Sequence, residues 1–416
     1  MEQKRQKIFE GDKGIWRIML LLCFYSIISV YSASSQLAYD ASGINASKYL
    51  FRQIIILAIG TSVALMISKV PYKYFSKPSV FLWYLSIFLL IVTLIWGLNI
   101  NDARRWLLLP GGITFQTSDF AKIALLMFLS RNLTLKEEEN KNTLKYLKNI
   151  FFPILITCGL ITVANLSTGV LLFGVSMILV FLGKVGFKNL AITFLITIGL
   201  VLLLFAAIKT FKDVGRIETW NNRIETFRDP NKPENIQQTH SKIAVATGKL
   251  FGKGPGKSIQ RNILPNPYSD YIFAIITEEL GLVIGVIPIM MLYLFLFLRA
   301  RRIIKKAGRK FGIYITASMS ILIVTQALSN MAVATNVFPV TGQPLPFISY
   351  GGTSIFFTGV AFGIILSVSR EVEQKELEEK MQAEALSAED KNKTENPIEV
   401  INNAEPNTEP DAEKES

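Results

Sequence analysis

Residues 79–99 read SVFLWYLSIFLLIVTLIWGLN, a run of 21 residues without a charged side chain. A helix of about 20 apolar residues is long enough to cross the hydrocarbon core of a bilayer. The run therefore predicts a transmembrane helix. Nine further apolar runs lie at 15–35, 49–68, 117–132, 149–165, 168–184, 188–210, 271–298, 311–335 and 353–369. The sequence thus predicts an all-α membrane protein with about ten transmembrane helices.

The composition agrees with this class and argues against several others. Half of the 416 residues are hydrophobic, and the formal net charge is +12. The basic residues lie between the apolar runs and not along one soluble face, which is typical of membrane topology and argues against nucleic-acid binding. The two cysteines and the single histidine have no partners at metal-ligand spacing. A protein metal site or a catalytic pair that uses histidine is therefore not expected.

The basic residues also predict the orientation, because cytoplasmic loops of membrane proteins are enriched in Lys and Arg. With ten spans and both termini in the cytoplasm, five basic clusters fall on the cytoplasmic side. They are Lys4, Arg5, Lys7 and Lys13; Lys69, Lys73 and Lys77; Lys136, Lys141, Lys145 and Lys148; Lys184 and Lys188; and Arg299, Arg301, Arg302, Lys305, Lys306, Arg309 and Lys310.

This topology divides the chain into a cytoplasmic N-terminus (1–14), a ten-helix membrane domain (15–370) and a C-terminal tail (371–416). The tail holds 15 acidic and five basic residues. Because it has few large apolar residues, we expect it to be a disordered acidic cytoplasmic tail.

A large extracytoplasmic loop, 211–270, is expected between the seventh and eighth spans. Apolar residues at helical intervals predict an amphipathic interfacial helix over Ile217–Phe227. The segment Gly252–Lys257 reads GKGPGK and predicts an ordered, turn-rich basic segment. Such a cationic segment above a membrane cavity suits an anionic lipid headgroup such as a pyrophosphate.

Acidic residues at the start of the eighth span are candidates for chemistry. Asp270 lies where that helix is predicted to begin on the outer face. Its carboxylate could cap the helix, or act as a general base toward a sugar hydroxyl, and the two roles are compatible. Glu278 and Glu279 follow deeper in the same helix, where carboxylates are costly without partners. We expect at least one of them to pair with a cation on another helix.

A second group of charged residues surrounds the start of the fourth span. Arg104 and Arg105 lie on the outer side, against the orientation rule, which favours a ligand role. Lys122 is one helical turn from Asp119, so the two could form an intrahelical ion pair. Alternatively, the ammonium group of Lys122 could meet a phosphate or the Glu278–Glu279 pair.

The segment 339–352, PVTGQPLPFISYGG, is apolar but rich in Pro and Gly. It cannot form a regular helix, and unpaired backbone is not tolerated against lipid. We therefore predict a re-entrant hairpin that is buried inside the protein.

Three of these segments, in this order, resemble the SEDS family (shape, elongation, division and sporulation) of peptidoglycan glycosyltransferases. Arg104-Arg105-Trp106 with the segment 116–122 (QTSDFAK) is similar to its first signature, and 270–274 (DYIFA) with 278–281 (EELG) to its second. The segment 344–352 (PLPFISYGG) matches its third signature almost letter for letter. The resemblance covers residues 15–370, and the pattern Gly254-x-Gly256-x-Ser258-x-Gln260-Arg261 is closer to the cell-division branch than to the elongation branch.

The resemblance implies an inverting transfer that polymerises lipid II and releases undecaprenyl pyrophosphate. Asp270 takes the role of the catalytic base, and Arg104, Arg105 and Lys122 that of the groups that hold the pyrophosphate. Glu278, Glu279 and Ser349 are expected to contact substrate. The chain departs from the family at Asn266, Tyr268, Ser269 and Asn165, which puts supporting roles at those positions in doubt.

The implied partners are lipid II, the undecaprenyl-pyrophosphate-linked glycan, a class B penicillin-binding protein transpeptidase and other divisome proteins, in the bacterial inner membrane. No cofactor is assigned, and a divalent cation stays open. A lipid II flippase or transporter, an inactive division scaffold and an elongation-type polymerase are the alternatives. A transporter places its essential charges near the bilayer midplane, whereas Asp270 is expected at the outer surface, which favours chemistry there.

Overall fold

The computed structural model describes residues 10–34, 46–100, 103–110, 112–137, 139–210, 236–264 and 267–395. Within these ranges the chain is mostly helical. The helices are α1 (Lys13–Ser34), α2 (Ala46–Lys69), α3 (Ser79–Trp96), α4 (Thr117–Leu135), α5 (Thr143–Ala164), α6 (Leu166–Leu182), α7 (Phe187–Thr210), α8 (Ile236–Gly248), α9 (Ile272–Lys306), α10 (Lys310–Ala334) and α11 (Gly352–Glu395).

The predicted apolar runs coincide with helices α1–α7 and α9–α11. In the part of the chain that the structure describes, seven helices are long and apolar enough to cross a membrane: α1, α2, α3, α5, α9, α10 and α11. Helix α6 is shorter, with 17 residues, and α4 carries Asp119, Lys122 and Arg131. The helical, multi-span membrane fold is therefore confirmed, whereas the number of ten spans stays a prediction.

Helix α3 shows why these helices need lipid around them. Phe81, Tyr84, Phe88, Ile91 and Ile95 repeat at helical spacing, and all five side chains are exposed. A continuous apolar stripe of this kind is stable where the solvent is hydrocarbon. By contrast, α10 and α11 have the largest buried fraction among the seven candidate spans. Helix α10 packs against α4, α6, α9 and α11. The core therefore lies around α10.

The helical fold contains one short sheet that the sequence analysis did not predict. Strands β1 (Leu98–Ile100), β2 (Ala103–Leu109) and β3 (Ile113–Gln116) form an antiparallel sheet in the order β1-β2-β3 between α3 and α4. Leu109 pairs with Ile113, and Gly112 in the turn has φ of 76°. The strands are only three to seven residues long, so the 20-residue periodicity that identifies spans does not detect them.

The loop between α7 and α9 is ordered over residues 236–264. It contains α8, and residues 249–254 then run along the backbone of α9. Amide groups of Lys253 and Gly254 donate to the carbonyls of Glu278 and Glu279, both at 2.9 Å. In return, the amides of Leu282 and Val283 donate to Lys249 and Leu250. The prediction of an ordered Gly252–Lys257 segment is confirmed, while the helix predicted over Ile217–Phe227 lies outside the described residues.

These backbone contacts need glycine at two positions. Gly252 and Gly281 have φ of 75° and 71°, in the left-handed region that favours glycine. A Cβ on Gly281 would lie 2.3 Å from the backbone nitrogen of Gly252. Helix α9 is correspondingly irregular after Gly281, with a π-type turn over Leu282–Val286.

The segment between α10 and α11 is irregular and largely buried, as predicted for 339–352. Its carbonyl groups accept hydrogen bonds from side chains of the surrounding helices. The donors are Tyr293 to Pro346 (2.6 Å), Gln326 to Pro344 (3.1 Å), Asn330 to Gln343 (2.8 Å) and Ser26 to Ile348 (2.8 Å). The polar residues inside the spans thus supply the partners that non-helical backbone needs away from water.

The expectation of disorder from residue 371 differs from the structure. Helix α11 continues without interruption to Glu395, and its residues beyond Arg370 are mostly exposed. Glu, Lys, Gln, Ala, Leu and Met dominate this part, and all are strong helix formers. Low hydrophobicity argues against a packed core but not against a single helix, and for this reason the sequence criterion failed here. Residues 396–416 lie outside the described ranges.

The buried amide of Asn330 provides a test of this arrangement. Its Nδ2 donates to the carbonyls of both Asp270 and Gln343, and the residue is 1% exposed. Asn330→Ala removes the donor to the buried bond with Gln343 and to the part-buried bond with Asp270, and losing a partner of a buried polar group costs about 1–3 kcal/mol. We expect a clear fall in the apparent Tm of the detergent-solubilised protein. Leu328→Ala on the exposed side of α10 is the control, and an Asn330→Ala Tm no lower than that of the control would contradict this account.

Candidate functional site

Asp270 lies in a turn immediately before α9. The helix begins at Ile272, and its N-cap residue is Tyr271, whose side chain makes no capping hydrogen bond. The N-cap position is thus held by Tyr271, and Asp270 lies one residue before it. The side chain is half-buried, and Ser269 Oγ donates a hydrogen bond to Asp270 Oδ1 at 3.2 Å. The carboxylate is thus placed at the mouth of the bundle, just before the first turn of α9.

The irregular segment after α10 fixes this turn. Ser349 Oγ donates to the carbonyl of Ser269 and accepts from the amide of Leu345, both at 2.7 Å. The amide of Tyr350 donates to the carbonyl of Tyr268 at 2.9 Å. Ser349 is 2% exposed. It was expected to contact substrate, but its buried hydroxyl instead joins the two backbone segments that position Asp270.

On its other side, Asp270 faces Gly342, which belongs to the same irregular segment between α10 and α11. Asp270 Oδ2 would lie 3.7 Å from a Cβ on Gly342. The next residue, Gln343, donates from Nε2 to Thr168 Oγ1 on α6. Asn165 caps that helix by accepting from the amide of Thr168 at 3.4 Å. The neutral Asn165 that departs from the family pattern therefore has a structural role that an amide can perform.

Arg104 and Arg105 lie on β2 and reach the ends of two helices. Arg104 donates to the carbonyls of Leu94 (3.3 Å) and Ile95 (2.5 Å) at the end of α3, and Arg105 Nε donates to Ala164 (3.0 Å) at the end of α5. Cations at helix C-termini are stabilised by the unpaired carbonyls and the helix dipole. With Thr117, Ser118 and Asn165, both side chains line one narrow cleft. Arg104 is exposed there.

Lys122 forms the intrahelical ion pair that was one of its two alternatives. Its Nζ lies 2.8 Å from Asp119 Oδ1, and both side chains are 5% exposed. The pair lines a small cavity together with Gln326 of α10 and Thr358 of α11. The other alternative, a contact with Glu278 or Glu279, is not formed, because each of those carboxylates has a different cation beside it.

Glu278 and Glu279 organise the loop between α7 and α9. Glu278 is fully buried and accepts from Lys253 Nζ and Ser258 Oγ, both at 2.5 Å, and from the amides of Ile259 and Gln260 at 3.3 Å. Glu279 accepts from Ser32 Oγ at 2.5 Å and lies 3.9 Å from Arg261. The expected cationic partners therefore exist, but they come from the loop and not from another transmembrane helix. Both carboxylates, expected to contact substrate, are buried against this loop.

The structure adds a tyrosine cluster that sequence reasoning missed. The rings of Tyr49, Tyr268 and Tyr350 lie 5.5–6.4 Å apart, and the guanidinium of Arg52 lies 6.0 Å above the ring of Tyr350. Burial raises the pKa of Tyr268, and the neighbouring Tyr49, Tyr350 and Asp270 raise it further. Tyr268 therefore stays protonated near neutral pH. Arg52 is an ionisable residue inside a predicted span, and that signal could have identified it.

Arg52 differs from the other cations in this half of the bundle, Lys122 and Lys253. Within the described ranges it has no carboxylate within 4 Å, and its side chain is exposed. Lys122 and Lys253, in contrast, are each paired with a buried carboxylate. Arg52 therefore brings a positive charge, unpaired with any described carboxylate, to the ring of Tyr350, which packs against Tyr268. In the same part of the chain, no three His, Cys, Asp or Glu side chains come together in a way that could hold a metal ion.

These features define a multi-span helical membrane protein with a carboxylate held at one mouth of the bundle. The sequence profile of the FtsW/RodA/SpoVE family, described as cell cycle proteins, matches residues 12–374. The chain belongs to this family.

Two curated relatives and one solved structure illustrate the similarity. The chain is 32% identical over 379 residues to a probable peptidoglycan glycosyltransferase FtsW of Trichlorobacter lovleyi, covering 88% of this chain and 95% of the relative. It is 34% identical over 368 residues to a probable peptidoglycan glycosyltransferase FtsW of Alkalilimnicola ehrlichii. That match covers 86% of this chain and 89% of the relative. One similar solved structure is a peptidoglycan synthase complex, described in terms of the structural coordination of polymerization and crosslinking. One of its chains superposes on this chain with a TM-score of 0.69 at 22% sequence identity. The match covers 88% of this chain and 99% of that chain. At this identity the structural match concerns the fold.

Proposed function

We propose that this protein is a peptidoglycan glycosyltransferase that polymerises lipid II into glycan strands at the division septum. The observation that carries the proposal is the position of Asp270, a half-buried carboxylate at the mouth of the bundle whose turn is fixed by Ser349 and Asn330. Relatives at 32–34% identity are named as glycosyltransferases, and the family match extends over this whole region.

In the proposed reaction Asp270 is the general base. Its carboxylate accepts the proton of the 4-hydroxyl of the GlcNAc residue in one lipid II molecule. The hydroxyl oxygen then forms a bond to the anomeric carbon of a second, lipid-linked glycan, while the bond between that carbon and the pyrophosphate oxygen breaks. The configuration is inverted, undecaprenyl pyrophosphate leaves with the electron pair, and the proton passes from Asp270 to solvent. General-base catalysis of this kind contributes about 10²–10⁴-fold.

The leaving pyrophosphate needs cations that are not already neutralised. Arg104 is exposed at the cleft beside α3 and α5, and Arg105 lies beside it. We assign electrostatic support to Arg52 as well, since among the described residues it has no carboxylate within 4 Å and it lies over Tyr350, beside Tyr268. Lys122 is a weaker candidate than its sequence position suggested, because Asp119 at 2.8 Å already balances its charge.

The proposed setting is the bacterial inner membrane, with both termini in the cytoplasm as the basic loops indicate. We propose a class B penicillin-binding protein transpeptidase as partner, together with other divisome proteins. The fold similarity to a chain of a peptidoglycan synthase complex supports such an assembly. The flippase alternative is one outcome of the activity test. A flippase with this fold would move lipid II across the membrane without polymerising it.

Substitution of the carboxylate tests the catalytic role. Asp270→Asn keeps the size and the hydrogen bond from Ser269 but cannot accept the proton. With lipid II in detergent and the transpeptidase partner present, we expect polymerisation to fall by at least about 100-fold. Asp390→Asn, near the end of α11 and outside the residues that the family profile matches, is the control with the same chemical change. Full activity of Asp270→Asn would remove the base hypothesis, and transbilayer movement of lipid II without polymer by the unsubstituted protein would favour the flippase.

Arg52 is tested through the dependence of the rate on substrate. Removing a charged hydrogen-bond donor to a phosphate costs about 1.5–3 kcal/mol, so Arg52→Gln should raise the KM for lipid II on the order of tenfold or more. Lys48→Gln, one turn earlier on α2, is the matched control and should leave the KM within about twofold. Equal effects of the two substitutions would mean that only the general surface charge of this helix matters.

The division role is tested by depletion of the protein in cells. A septal polymerase is required for cross-wall formation, so depleted cells should continue to elongate and form filaments. The readout is cell length by light microscopy, with re-expression of the unsubstituted gene as the control. Round, widening cells would instead assign the protein to the elongation branch.

A further inference from the structure

A polar cavity of about 530 Å³ lies at the end of the bundle opposite Asp270. It is an open space between the start of α1, the end of α9 and the part of α11 that follows the apolar run. The charged side chains around it are Asp12, Lys13, Arg17, Arg299, Arg302, Lys306, Glu373 and Glu376. None of these residues takes part in the proposed glycosyl transfer, so the cavity is a separate feature of the fold.

The five cations are arranged on two helix faces. Lys13 and Arg17 are four residues apart on α1, and Arg299, Arg302 and Lys306 follow at spacings of three and four on α9, so each set shares one side of its helix. The neighbouring Arg301 and Lys305 on α9 do not line the cavity. The positive-inside rule requires basic residues at this end of the helices but does not require them to surround one space.

Part of this positive charge has no acidic partner. Asp12 lies 3.3 Å from Arg299, and Glu376 lies 2.6 Å from Lys306. Asp12 also caps α1 by accepting from the amide of Gly14 at 2.7 Å. Among the described residues, Lys13, Arg17 and Arg302 have no carboxylate within 4 Å, and all three are exposed. The cavity therefore attracts a further anion.

The level of the cavity along the helices identifies the kind of anion. Arg299 is the first charged residue after the apolar stretch of α9, and Arg17 follows the first turn of α1. Toward the membrane, both helices expose apolar side chains, including Leu20, Phe24 and Leu298. The cations thus lie at the boundary where phospholipid phosphates meet the hydrocarbon, and the exposed side chains below them contact acyl chains.

We propose that this cavity is a binding site for the phosphate headgroup of an anionic phospholipid, held by Arg17 and Arg302 with its acyl chains along α1 and α9. A phosphodiester presents oxygens that accept paired hydrogen bonds from guanidinium groups. A zwitterionic headgroup brings its own cation into the same positively charged space and is disfavoured. Glu373 of α11 lines the cavity as well. Its negative charge repels the bound phosphate and weakens its binding.

The test measures lipid retained by the purified full-length protein. Protein in detergent is titrated with phosphatidylglycerol or phosphatidylcholine, and bound lipid is counted by native mass spectrometry. We expect selective binding of phosphatidylglycerol, which the double substitution R17Q/R302Q weakens on the order of tenfold or more. The control R301Q/K305Q removes the same charge from the same end of α9 and should change binding by less than about twofold. Glu373→Gln should strengthen binding, an effect that loss of folding does not produce.

Three results would overturn the proposal. Equal weakening by R17Q/R302Q and R301Q/K305Q would mean that general surface charge attracts the lipid. Equal retention of phosphatidylglycerol and phosphatidylcholine would remove the role of headgroup charge. If millimolar inorganic phosphate displaced phosphatidylglycerol completely and raised the apparent Tm as much as the lipid does, the ligand would be a soluble phosphate and not a phospholipid.

Discussion

The hydrogen bonding of one irregular segment inside the bundle determines where the candidate catalytic carboxylate lies. Backbone groups that are neither helical nor in contact with water are costly in a membrane, and each needs a partner from the protein. Between α10 and α11, Ser26, Tyr293, Gln326 and Asn330 supply those partners. Asn330 bonds the carbonyl of Asp270 with the same amide group, so the interaction that stabilises the segment also positions the carboxylate.

The sequence predicts those features that depend on neighbouring residues in the chain. Apolar runs such as 79–99 predict spans because length and composition suffice, and the prolines and glycines of 339–352 predict non-helical backbone. The strands of 98–116 were missed because each is too short to stand out against the adjacent spans. The helix over 371–395 was missed because the tail was judged by hydrophobicity, whereas a solvated helix depends on propensity.

The partners of the charged residues could not be predicted in the same way. The cation beside Glu278 is 25 residues away, at Lys253, and the glutamates could not be assigned without the path of the loop. Ser349 shows the same limit, since its signature suggests a substrate contact and only the fold reveals that its hydroxyl bonds Ser269 and Leu345. Asp119 and Lys122 are the opposite case, because their pairing follows from a spacing of three residues.

Helix α9 connects the two ends of the molecule but is not uniform along its length. Its first ten residues end at Gly281, where the amides of Leu282 and Val283 bond the loop at Lys249 and Leu250. The first part of α9 is therefore held by the loop and by the segment after α10, as well as by the rest of its own helix. The two sets of contacts have different roles. Ser349 and Asn330 hold the turn that carries Asp270, whereas Lys253 and Ser258 of the loop bond Glu278 two helical turns further along α9. Neither set uses a lipid-facing surface of the helix, so the turn and the start of α9 are fixed from within the protein.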